Sequence, residues 1–293
     1  MLMKAECVTC ILNQVVRITD HLGVGEVEKD TIFKLALDLS SKLDYTSYLP
    51  PLYSEKLYDS VSDYTGVRDP YKQIRREQND LIINNRSFFM KKIVDSSDPL
   101  FMSLYYSLLG NIIDYGGVEL FSVDNLFETN DPEMIAINDY KQLYENLKLA
   151  DSLLVIADNA GEAVFDMMFL EQVKRIKPEI ELFYGVKSGP AINDVLKDDA
   201  LYIGINKYAK IIETGATYAG TVVSESQPEF KKIFLGSDIV ISKGQGNFET
   251  LESERSRDIF FVFKVKCRVV SKFSGLGQGS LVMGYRNSFP DKE

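Results

Sequence analysis

The chemistry-bearing residues that stand out first are Asp158, Asn159 and Glu162, because the uncharged run Leu153–Ala157 ends abruptly in Asp158-Asn-Ala-Gly-Glu162. A run of that kind is expected of a strand covered on both faces in a parallel sheet, and Ala163–Ile176 then carries apolar residues at helical spacing. Strand, glycine turn and helix succeed one another. In an open α/β sheet that turn lies at the carboxyl edge, where ligands bind.

A second polar group begins at Lys187 and runs Lys-Ser-Gly-Pro-Ala-Ile-Asn-Asp194, placing Asp194 36 positions after Asp158. That separation is about one strand–helix–strand unit, ~30 or more residues, so the two carboxylates are expected to converge at neighbouring strand tips. A third edge ends in Thr214-Gly215, and a fourth in Lys243-Gly244-Gln245-Gly246-Asn247-Phe-Glu249. The two glycines of the fourth let backbone N–H groups approach an anion, and Lys243 offsets its charge. Oxygen donors without imidazole or thiolate suit Mg²⁺ or Mn²⁺. Together with the glycine loops and lysines they favour metal-assisted phosphoryl transfer to water.

Composition narrows the alternatives. The chain has 293 residues and is 45% hydrophobic, enough for a sizeable core. Lys plus Arg total 33 against 43 Asp plus Glu, a formal net charge of −10, which argues against nucleic acid and anionic membrane as partners. No apolar run approaches the ~20 residues that cross a bilayer. The opening Met-Leu-Met-Lys-Ala-Glu-Cys lacks the apolar core of a secretion signal, so a cytoplasmic location is expected. One histidine, His21, sits near the end of an apparent helix, where contact with the terminal carbonyls is the expected role. Hydrolase triads and most catalytic zinc sites are thereby disfavoured. Cys7, Cys10 and Cys267 make no disulfide framework; a disulfide or buried free thiols are the readings favoured, with a structural role.

The pattern changes near residue 150. Residues 1–149 read as a helical N-terminal subdomain, with Asp98-Pro99 opening one helix and Asp131-Pro132 opening another that runs to about Leu149. Residues 150–293 alternate short apolar runs with helical stretches. Five strands, Leu153–Ala157, Ile180–Val186, Lys210–Glu213, Ile239–Ser242 and Phe260–Val265, predict a mainly parallel, doubly wound α/β sheet.

Three motifs, Asp158-Asn-Ala-Gly-Glu-Ala-Val-Phe-Asp166, Gly189-Pro-Ala-Ile-Asn-Asp194 and Lys243-Gly-Gln-Gly-Asn-Phe-Glu249, resemble the signatures of the damage-control phosphatases, also known as domain of unknown function 89. Cys7-x-x-Cys10, Asp69-Pro-Tyr71 and Gly110-Asn-Ile-Ile-Asp114 resemble its prokaryotic, archaeal-type branch. The resemblance implies a helical part packed on a Rossmann-like α/β/α core, and a phosphatase acting on small phosphorylated metabolites with a divalent ion such as Mn²⁺, Mg²⁺, Co²⁺ or Ni²⁺. Carried over by motif, Asp158, Asn159 and Asp194 would be metal ligands, with Asp158, Asp194 and Lys243 the catalytic set. Lys243 and Lys187, with the Gly244, Gln245, Gly246, Asn247 loop, would hold the substrate phosphate, with Glu162, Asn111 and Asp114 near it; Thr214, at the third strand edge, is a further substrate-binding candidate. The rival readings are a nucleotide- or S-adenosylmethionine-binding transferase and a non-catalytic metabolite-binding protein. The absence of a Gly-x-Gly-x-x-Gly turn after the strand at 153–157 counts against the first.

Overall fold

The architecture is that of a computed structural model, which describes residues 1–110 and 131–290. Each of the five expected strands forms, within a residue of its expected ends: β2 (Ser152–Ile156), β3 (Glu181–Val186), β4 (Lys210–Glu213), β5 (Ile239–Lys243) and β6 (Phe260–Lys264). Two more strands, β1 (Ile135–Asn138) and β7 (Leu281–Tyr285), extend the sheet to seven in the order β1-β7-β6-β5-β2-β3-β4. Neighbours are parallel except β6 and β7, which are antiparallel.

The chain runs outward from β2 through β3 to β4, then returns to the other side of β2 to lay down β5 and β6. The strand order therefore reverses between β2 and β5. Adjacent loops leave in opposite directions at such a switch point and open a crevice beyond the strands' carboxyl ends. The segments after β2 and β5 are those that begin with Asp158 and end with Lys243-Gly244.

The segment 131–149 differs from expectation. Instead of one helix it holds a short 3-10 turn at Pro132–Met134, then β1, then a helix at Tyr140–Leu149. Ile135 and Ile137 are buried while Ala136 and Asn138 are exposed, a period of two that a strand satisfies and a helix does not.

Helices cover both faces of the sheet, giving three layers. On one face pack α4 (Lys72–Asn84), α5 (Arg86–Val94), α6 (Pro99–Gly110), α7 (Tyr140–Leu149), α8 (Glu162–Ile176) and α9 (Lys197–Ile203), burying Ile82, Phe89, Leu104, Leu143, Phe165 and Ala200 against Leu153, Val155, Tyr184 and Ile241. On the other pack α1 (Ala5–Leu22), α2 (Glu26–Lys42), α3 (Pro50–Thr65), α10 (Pro228–Gly236), α11 (Gln245–Leu251) and α12 (Arg268–Ser274), where Ile11, Val15, Leu57, Phe230 and Phe248 meet Leu154, Ile156, Val240 and Phe261. Alternate residues of one strand feed opposite cores, which is why these strands read as continuous apolar runs. Among the described residues no helix is long and apolar enough to cross a membrane.

Candidate functional site

Backbone hydrogen bonds tie the loop that carries Asp158 to the loop that carries Asp194. The N–H of Val195 donates to Asp158 O at 2.9 Å, that of Ala160 to Asn193 O at 2.9 Å, and that of Lys187 to Val195 O at 3.0 Å. Asn159 and Asp194 form an isolated antiparallel bridge. Between them Ile192 stands at φ +49°, the one non-glycine residue at positive φ among the described residues, a conformation costing an L-residue roughly 1–2 kcal/mol. The segment after β3 is thus bent back onto the tip of β2.

Helix α4 buttresses both loops from outside the sheet. Asn79 Oδ1 accepts from the N–H of Gly161 at 2.8 Å, and Gln78 Oε1 accepts from Asn193 Nδ2 at 3.1 Å. The helix itself is bolted down by buried Arg75, bidentate to Asp69 at 2.8 Å and bonded to Asp199 of α9 at 2.7 Å. Asp69 of the Asp-Pro-Tyr element therefore acts as an anchor for α4.

The edge encloses a cavity of about 410 Å³. Asp158, Asn159, Asp194, Gln245 and Gly246 line it, together with residues the sequence reading did not assign to a site: Asn193, Glu249, Tyr58, Tyr71, and the cations Arg17, Lys266 and Arg268. Cys7, Cys10 and Cys267 share the same wall as free thiols, Cys7 buried and Cys10 exposed. His21 lies in the last turn of α1 with its ring 5.3 Å from that of Tyr71.

Asp158 and Asp194 are both buried. Asn159 Nδ2 donates to Asp158 Oδ2 at 2.8 Å. Asp194 Oδ2 has no hydrogen-bond partner; the Lys187 ammonium stands 3.5 Å away, an ion-pair distance. Burial pushes the Asp194 carboxyl well above the usual carboxylate range, with Lys187 acting against the shift, and burial lowers Lys187 in turn. A buried carboxylate oxygen without a donor fits a cation, and two carboxylates with one amide fit a hard ion that keeps several waters. Asp158, Asn159 and Asp194 are the residues that can hold it. Among the described residues no cluster of three or more His, Cys, Asp or Glu is arranged for a metal, so water and substrate would have to complete the shell. Gly244, at φ +78°, is required here: a Cβ would lie 2.0 Å from Asp158 Oδ2.

Six other expected site residues lie behind the cavity wall. Lys187 Nζ donates to Gly220 O at 2.8 Å and to Asn247 Oδ1 at 3.2 Å. Asn247 in turn donates to Ala157 O and Lys243 O at 2.9 and 2.8 Å, joining β2 to β5. Thr214 is buried and its hydroxyl accepts from the N–H of Ala216. Gly244 follows β5 with its N–H on Val262 O. Lys243, expected at the phosphate, is instead held inside the protein: its ammonium donates to Glu162, to Asp166 at 2.7 Å, and to Ser107 of α6 at 2.6 Å. Tyr184 completes that cluster with a 2.8 Å bond to Asp166. Burial disfavours the Lys243 charge, yet Asp166 and Glu162 outweigh it and hold the ammonium above the usual lysine value. Asn111 and Asp114 lie outside the described residues.

Two buried carboxyls are pushed up to about 7. For Glu162 the cause is burial, opposed by Lys243 and reinforced by Asp158 and Asp166; for Glu249 it is burial, opposed by a hydrogen bond from Gln245. A carboxyl held above its unfolded value binds its proton more tightly in the folded chain. Its stabilisation is therefore complete below about 4.5 and is lost as pH rises through about 7. The melting temperature of metal-free protein is expected to fall between about pH 5 and about pH 8. Calorimetry across that range checks it; a rise would contradict the assignment.

Comparison with known proteins places the chain in a family. The profile of the damage-control phosphatase ARMT1-like domain matches residues 3–282. A damage-control phosphatase of Pyrococcus horikoshii is 29% identical over 290 residues, covering 99% of each chain, and one of Archaeoglobus fulgidus is 24% identical over 285 residues, covering 94% of this chain and 96% of the relative. The crystal structure of a DUF89 family protein from P. horikoshii superposes with a TM-score of 0.88 at 28% identity, covering 98% of this chain and 99% of that one. By the extent of that match, from the N-terminal helices to the last strand, this chain belongs to the damage-control phosphatase ARMT1-like family.

Proposed function

We propose that the protein is a divalent-metal-dependent phosphatase that hydrolyses small phosphorylated metabolites in the cavity beyond β2 and β5. The observation that carries this reading is that Asp158 and Asp194 both line that cavity, with Asp194 Oδ2 buried, without a hydrogen bond and facing only the Lys187 ammonium at 3.5 Å. The names of the relatives support the phosphatase class; the metal and the monoester are our extension of it.

Asp158, Asn159 and Asp194 would hold an ion such as Mn²⁺, Mg²⁺, Co²⁺ or Ni²⁺. Bound there, the ion would polarise a phosphoryl oxygen and lower the pKa of water. The chain's own residues do the rest. Arg17, Lys266 and Arg268 on the wall offset the charge of an anionic substrate in a protein of net charge −10. Lys187 and Asn247 fix Asp194 and the β2–β5 crevice from beneath. A lysine at 187 supplies charge without the two-pronged geometry of arginine, so it serves better as a counter-charge than as a phosphate clamp. The Lys243–Glu162–Asp166 cluster pins α6 and α8 to the end of β5 and keeps the crevice in shape.

Incubation of purified protein with p-nitrophenyl phosphate and Mn²⁺ is expected to release phosphate, to stop with excess chelator, and to resume when Mn²⁺ is restored. A protein that binds the ester without turnover under any of the four ions would instead be a metabolite-binding module, and the proposal would be wrong.

A further inference from the structure

Glu249 carries a carboxyl that the metal and phosphate assignments leave without a task. It stands on α11, one turn after Gln245, and both residues line the cavity with Asp158 and Asp194. Gln245 is fixed at both ends of its amide. Its Oε1 accepts from the N–H of Lys266 at 2.8 Å, and its Nε2 donates to Glu249 Oε1 at 2.9 Å and reaches Cys267 Sγ at 3.7 Å. The carboxyl is thus oriented by a side chain that is itself clamped, as a proton-transferring group needs to be. The helix it stands on begins at the switch point, where Gly244 brings the chain against Asp158.

We infer that Glu249 is the general acid of the phosphatase reaction, giving its proton to the oxygen of the departing alcohol. The inference rests on the phosphatase reading above. The bond between phosphorus and the ester oxygen breaks, the Glu249 proton goes to that oxygen, and the alcohol leaves neutral. Water supplies the oxygen that ends in inorganic phosphate, and one of its protons restores the carboxyl. A carboxyl pushed up to about 7 by burial is protonated in part at neutral pH, which matches the task. The groups that face it are Asp158 from the β2 tip, Cys7 and Cys10 from α1 and the N-terminal amine, with Lys266 and Arg268 on the same wall. Asp158 favours the proton, and the amine opposes it.

The test compares p-nitrophenyl phosphate, whose phenol leaves well as an anion, with phenyl phosphate, whose phenol needs the proton. Glu249→Gln keeps the shape of the protonated carboxyl. It is expected to lower phenyl phosphate turnover by about 10²-fold more than it lowers p-nitrophenyl phosphate turnover. The parent enzyme alone gives a second reading: raising the pH above about 8 is expected to make its rate depend steeply on the leaving group, as in the variant. An equal loss on both esters, or a parent whose leaving-group dependence ignores pH, overturns the role of Glu249 and leaves the phosphatase reading standing. A parent that hydrolyses neither ester with any divalent ion overturns both.

Discussion

Replacing Lys243 with methionine is expected to destabilise the protein by roughly 3–5 kcal/mol, the usual cost of removing one partner from a buried ion pair. Glu162 and Asp166 are both buried beside that ammonium, and Asp166 also accepts from the hydroxyls of Ser107 and Tyr184. Without the lysine, two carboxyls face each other in an apolar layer, and at least one must take up a proton. The cluster also joins three elements: α6 through Ser107, α8 through Glu162 and Asp166, and β5 through Lys243. Its loss should therefore loosen the contact between the N-terminal helices and the sheet as a unit. Denaturant titration reads the effect directly. Neutralising the carboxylates as well, as Glu162→Gln and Asp166→Asn in the methionine background, should recover a large part of the loss, because the penalty lies in the stranded charges. A shift under 1 kcal/mol in the single variant would mean that the cluster is not a buried ionic network.

The second large effect concerns turnover. Asp158→Asn and Asp194→Asn are each expected to lower metal-dependent phosphatase activity by at least about 10³-fold while the fold persists. Asparagine keeps the shape of each side chain but removes the charge that would draw a cation. At position 194 the fold is expected to survive because Lys187 retains Gly220 O and Asn247 Oδ1 as acceptors. The two substitutions should not be additive, since both would empty the same ion site. Unchanged activity in both, with a normal unfolding transition, would remove these carboxylates from the mechanism.

Much of this arrangement was legible in the sequence because polarity changes abruptly at the strand ends. The apolar runs before Asp158, Lys187 and Lys243 mark β2, β3 and β5, and the spacing of Asp158 and Asp194 matches one crossover unit. β1 and β7 were not legible. Ile-Ala-Ile-Asn is four residues long and follows Asp131-Pro132, a pair that also opens helices, while Leu281–Tyr285 contains a glycine that interrupts the strand pattern. Their pairing comes from tertiary contact between segments nearly 150 positions apart.

The site divides in the same way. Residue types and spacing placed Asp158, Asn159 and Asp194 together, but they said nothing about which lysine faces a ligand. Lys243 sits at a strand tip beside two glycines, the position of a phosphate-binding cation, yet its direction is decided by Ser107, which lies 136 positions away in α6. Glu249 was visible in the Gly-Gln-Gly-Asn-Phe-Glu segment. Its four-residue spacing from Gln245 puts the two on one helix face, a signal that could have nominated it. The support given by α4 through Gln78 and Asn79 had no counterpart in any motif, because it depends on how that helix docks.

In the proposed reaction the carboxylates at 158 and 194 would share one divalent cation. Titration of metal-free protein with Mn²⁺, followed by calorimetry or by the loss of the free-ion paramagnetic resonance signal, tests it without reference to any substrate. One strong site per chain is expected in the parent, with its loss in Asp158→Asn and in Asp194→Asn alike. Two variants that still bind one Mn²⁺ with the parent's affinity would contradict it.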